Sequence, residues 1–132
     1  MKIRCVWEHN GSDSLLYSDN YIGAFTRGAT KDIALSKMAD EIKSYLNWKK
    51  DLAPETFEIE IVQEKLSELN IYDADSDVLF DTEKGKLDPI EYQELKALAL
   101  RSAQDFLTLY ESIPDKDLSL IHISEPTRPR LI

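Results

Sequence analysis

The chain has 132 residues, 42% hydrophobic and 31% charged, which suits one domain of ordinary size or a small domain with an appendage. It holds no run of about 18 apolar residues, and MKIRCVWEHNG lacks the basic flank, apolar block and cleavage site of a signal peptide, so a cytoplasmic protein without membrane contact is expected. The net charge of −9 is uneven: residues 1–50 hold eight Lys/Arg against six Asp/Glu and residues 51–94 three against fourteen, a pattern without the cation clusters that nucleic acid requires.

Residues 2–9, KIRCVWEH, alternate Ile3, Cys5 and Trp7 with Arg4, Val6 and Glu8, the period-two pattern of a strand with one mainly apolar face. Cys5 is the only cysteine, so no intrachain disulfide forms, and its expected place is a buried strand position rather than a nucleophile's. His9 is expected at a solvent-facing strand end. NGSD, residues 10–13, supplies a turn, and SLLYSD suits a second, antiparallel strand. GAFTRGAT follows as a third strand, with Gly23 and Gly28 fitting a bulge or a turn at positive φ.

Thr30 is a natural N-cap and Asp32 sits at the positive end of the helix that begins there. Ile33, Leu35, Met38, Ala39, Ile42, Tyr45, Leu46 and Lys49 recur at three- and four-residue steps, a stripe that packs on the sheet and ends in a basic turn. Pro54 breaks the pattern. FEIEIV then alternates Phe57, Ile59 and Ile61 with Glu58 and Glu60, a fourth strand with one wet face.

Within this order, the stretch YIGAFTRGATKDIALSKMADEIKSYL resembles the HicB-like antitoxin domain, in which a strand ends in a Gly-aromatic-x-x-Gly-x-Thr turn and runs into a helix. The matching positions are Gly23, Phe25, Gly28, Thr30 and Ala34, and the resemblance covers about residues 1–65. It implies a small sheet of truncated ribonuclease-H type, without a nuclease centre, that binds and blocks a small basic ribonuclease toxin. A basic DNA-reading segment, which such antitoxins carry after this domain, is not evident beyond residue 65. The glycines also have a purely structural reading as turn and helix entry.

Residues 66–87 read as an acidic linker or short strand with an apolar island at residues 78–80. Asp73, Asp75 and Asp77 have the spacing of a calcium loop, but Val78 stands where glycine is needed and Lys84 where the bidentate Glu belongs. Asp88, Pro89 and Glu91 then open a long amphipathic helix to about residue 112. Its face comprises Tyr92, Leu95, Ala99, Ala103, Phe106, Tyr110 and Ile113, widened by Leu98, Leu100, Leu107 and Leu109. A helix so apolar wants helical neighbours, and residues 88–114 are expected to belong to a truncated helical domain. EYQELKALALRSAQDFLTLYESIPD resembles the start of a DinB-like helical region, a resemblance that implies a divalent metal on three histidines. The chain has only His9 and His122.

LSLIHISEPTR, residues 118–128, is identified as the in-frame translation of a transposase-based sequencing-library adapter. Residues 118–132 are accordingly expected to be a non-native tail, and His122 carries no role. Residues 1–117 alone hold 14 Lys/Arg and 24 Asp/Glu.

The expected architecture is α+β: a small antiparallel sheet with one packed helix in the order β-β-β-α-β over residues 1–65, then the long amphipathic helix. The expected function is a non-catalytic HicB-like interaction module with a small basic, toxin-like ribonuclease as partner. No catalytic, cofactor or metal residue is assigned. An open strand edge is compatible with a homodimer, which no residue pattern specifies. The alternative is the N-terminal part of a DinB-like metal-dependent enzyme whose catalytic residues are missing.

Overall fold

Alternation in the first eight strand positions and a polar turn at Asn10 set the first hairpin. Strand β1 (Lys2–His9) and strand β2 (Ser14–Ser18) pair antiparallel, with Cys5 opposite Ser18 and Trp7 opposite Leu16. The Asn10 side chain accepts from the amides of Ser12 and Asp13, which closes the turn, while Gly11 takes φ +90°. Strand β3 (Phe25–Gly28) adds antiparallel to β2, and helix α1 (Lys31–Lys49) follows. The computed structural model describes residues 2–73 and 75–114; the adapter-like stretch 118–128 and His122 lie outside the described residues.

Thr30 caps α1 as its sequence predicts, its side chain accepting from the amide of Ile33. The far end departs from pattern reading: Lys50 takes φ 64°, and the amides of Lys50 and Asp51 bond to the carbonyls of Asn47 and Leu46. This is a Schellman termination built on a lysine where glycine is the usual choice.

Strand β4 (Glu58–Leu66) pairs with β1, giving a sheet in the order β3-β2-β1-β4. The sheet is mixed, which corrects the antiparallel expectation, because β4 runs parallel to β1. The reason is topological. Two hairpin reversals leave β3 running in the direction of β1, and the 19-residue helix, about 28 Å long, carries the chain back so that the next strand runs that way too.

One sheet face packs on α1. Ile3, Cys5, Leu16 and Ala24 meet Ala34, Met38, Ile42 and Leu46 in a single buried cluster, with Phe57, Ile59 and Ile61 packed against it. The buried helix positions are four apart, and the stripe is turned from the expected one: Ala34 is buried, while Ile33 is 43% exposed. A residue as small as alanine is what lets the helix lie close to β3 at that point.

The opposite face is also covered. Residues 67–73 and 75–81, expected as linker or strand, lie back over it as a strap containing a turn of 3-10 helix at Ile71–Asp73, and Ile71 is buried there, as are Val6 and Leu15. A second unit begins at Leu87 and contains helix α2 (Pro89–Glu111). Asp88 caps it, accepting from the amide of Ile90, and Pro89 occupies the first turn. Among the described residues, none in α2 is buried. No helix of the described residues is long and apolar enough to cross a membrane.

Candidate interaction site at the edge of the sheet

Three of the five motif residues, Gly28, Thr30 and Ala34, meet at the junction between β3 and α1. Gly23 takes φ +101° in the turn before β3, a conformation that glycine adopts without steric cost. Gly28 serves a different purpose from the positive φ expected of it. A Cβ there would fall 2.6 Å from the Ala34 amide nitrogen and 2.9 Å from Ile33 Cβ, so its bare backbone is what lets the strand end touch the first helical turn. Thr30 caps that turn, and the buried Ala34 accepts through its carbonyl from the hydroxyl of Thr26 at 2.8 Å. Phe25 stands apart, half exposed at the outer edge.

Beside this junction lies a cleft of about 440 Å³. Phe25, Thr26 and Arg27 of β3 form one wall; Ser36, Lys37, Asp40, Glu41 and Ser44 of α1 form the other. From Lys37 to Ser44 those helix positions fall at steps of three, one and three, one polar stripe adjoining the buried one. Asp40 and Glu41 have no hydrogen-bond or ion-pair partner among the described residues. Lys37 does: its ammonium donates to the Arg27 carbonyl at 2.8 Å.

That bond identifies which backbone groups of β3 point outward. In an antiparallel ladder, alternate residues turn both N–H and C=O to the same side. The Ser18 amide bonds to the Ala24 carbonyl, so Ala24, Thr26 and Gly28 face β2, while Phe25 and Arg27 face away. No other strand pairs with β3 on that side among the described residues. The edge therefore offers the amides of Phe25 and Arg27 and two carbonyls, one of them held by Lys37.

The Arg27 side chain faces the strap. It donates to the carbonyls of Ile71 and Tyr72, both at 2.9 Å, and pairs with Asp13 at 3.1 Å. Glu8, expected on the less apolar face of β1, is completely buried there. It accepts from the Ser76 hydroxyl at 2.6 Å and the Asp77 amide at 3.0 Å, with the Tyr17 hydroxyl at 3.4 Å. Pattern reading misses this network because nothing local signals that strap and strand meet across 68 positions.

His9 also differs from its expected solvent-facing role. Its ring stacks on Trp7 with centroids 3.9 Å apart and bonds to Glu64 at 2.8 Å, while Lys31 lies 5.1 Å above the Trp7 ring. Cys5 is buried on the helix-facing side as expected, and desolvation, aided by the Asp19 carboxylate, pushes its thiol up to about 12. Among the described residues, no group of three His, Cys, Asp or Glu could hold a metal ion.

Comparison of the chain with protein-family models, curated proteins and solved structures gave no match.

Proposed function

We propose that this chain is a non-catalytic protein-interaction module of HicB-like type whose partner is a small basic protein of the ribonuclease-toxin class. The observation that carries the reading is the open edge of β3 beside a cleft with two unpaired carboxylates, Asp40 and Glu41. An exposed edge supplies main-chain hydrogen bonds to an incoming chain, and carboxylates at its rim favour a cationic one. The strand order β-β-β-α-β and the gathering of Gly28, Thr30 and Ala34 at one junction support the resemblance. The acidic excess of residues 51–94 adds long-range attraction for such a partner.

The test is to mix the purified chain with a panel of small basic ribonucleases and follow complex formation by size exclusion, with RNA cleavage as second readout. A stoichiometric complex that inhibits cleavage and weakens as salt rises is expected. No complex at low salt with any member of the panel would count against the reading.

A further inference from the structure

We infer that the β3 edge takes its partner by strand addition, accepting an extended segment that places an arginine or lysine between Asp40 and Glu41, with Lys37 as the cap it displaces. This deepens the interaction-module reading and rests on it for the basic character of the partner. The register follows from the edge itself. Phe25 and Arg27 turn their backbone groups outward, so an added strand bonds at those two residues and sets another residue opposite Thr26. Thr26 points to the helix side, as its hydroxyl bond to the Ala34 carbonyl shows. A partner side chain opposite Thr26 therefore enters the cleft where Asp40 and Glu41 stand, and charge complementarity makes it cationic. The partner residue opposite Phe25 falls on the other face, beside a ring that is 48% exposed, where an apolar side chain is favoured. The fitting segment thus alternates apolar and basic residues.

Lys37 gives the edge its selectivity. Its ammonium occupies the Arg27 carbonyl that an added strand needs, which blunts casual pairing with a second copy of the chain. A segment bringing its own cation to Asp40 and Glu41 offsets the displacement.

The experiment uses the full chain, isotopically labelled, with a blocked heptapeptide of alternating valine and arginine as probe. Saturating peptide is expected to slow amide exchange at Phe25 and Arg27 by at least about tenfold, since both N–H groups become bonded. Replacing arginine by glutamate in the peptide is expected to abolish binding. The D40N/E41Q double variant, isosteric at one exposed and one half-buried helix position and so compatible with the fold, is expected to weaken it by about 3- to 10-fold. Lys37→Met, which removes the cap, is expected to strengthen it. Binding without protection of those two amides, equal binding of the glutamate peptide, or no binding by either the native chain or Lys37→Met at millimolar peptide would overturn strand addition. A ribonuclease complex that leaves both amides unprotected would overturn it while the module reading stands. Peptide protection with no basic protein captured would do the reverse.

Discussion

Replacing Gly28 by alanine tests whether close approach, rather than turn geometry, is what position 28 requires. The added methyl carbon would lie 2.6 Å from the Ala34 nitrogen and 2.9 Å from two carbons of Ile33. Neither neighbour is a flexible side-chain tip. The Ala34 amide bonds back to the Thr30 carbonyl at 3.2 Å, and the Ile33 amide is held by the Thr30 hydroxyl, so relief means pulling the first turn off its cap. Overpacking of this kind costs about 1–3 kcal/mol, and a weakened cap adds about 1 kcal/mol. A loss of about 2–4 kcal/mol is expected, which at a urea m-value of roughly 1–1.5 kcal/mol per molar moves the midpoint down by about 2–3 M. Equilibrium urea unfolding followed by tryptophan fluorescence reads it directly. Gly85→Ala is the control, since a Cβ there meets nothing within 4 Å. A midpoint for Gly28→Ala within about 0.3 M of the parent, at equal m-value, would refute the close-approach argument.

Glu8→Gln keeps the size but loses one acceptor of the pair that holds Ser76 and Asp77; a cost of about 1–3 kcal/mol and faster amide exchange at Asp77 are expected, and unchanged exchange there would show that Glu8 does not anchor the strap. Lys50→Gly relieves the φ of 64° at the helix end and is expected to stabilise by about 0.5–1 kcal/mol, read as a higher melting temperature. The Cys5 thiol is expected to resist maleimide at pH 8 in the native chain and to react in urea. Because its folded value lies near 12, above the ordinary 9.0, the unfolded state gives up the proton first on titration. This contribution is therefore fully present below about pH 9 and lost as pH rises toward 12, and Cys5→Ala is expected to flatten that part of the stability profile.

Local physics explains what the sequence made readable. The bounds of α1 and α2 follow from side chains that act within one turn: Thr30 and Asp88 accept from amides two or three residues on. The strands of the first hairpin follow from alternation and from Asn10, whose bonds are equally local. Long-range relations were not readable in the same way. That β4 joins β1 in parallel depends on where a 19-residue helix sets the chain down, and no residue in β4 encodes its neighbour. The rotation of the buried stripe toward Ala34 depends on Gly28 letting the helix approach, a tertiary fact. Likewise Lys37, Asp40 and Glu41 read as an ordinary solvated helix face until β3 is laid beside them.

The strap shows why composition pointed the wrong way for residues 67–81. An acidic, sparsely apolar segment is expected to stay in water when its side chains must supply the binding. Here they mostly do not. Arg27 reaches the carbonyls of Ile71 and Tyr72, Asn10 donates to the Leu69 carbonyl, and Gln63 bonds to the Leu79 carbonyl and the Asp81 amide. Even buried Glu8 holds the strap partly through the Asp77 amide. Attachment through main chain needs only one large apolar anchor, Ile71, and leaves Asp73, Asp75 and Asp77 exposed. The same sheet face can thus be sealed by a segment whose carboxylates remain available to solvent and to a cationic partner. Acidity and packing are independent in this strap because they use different parts of the chain.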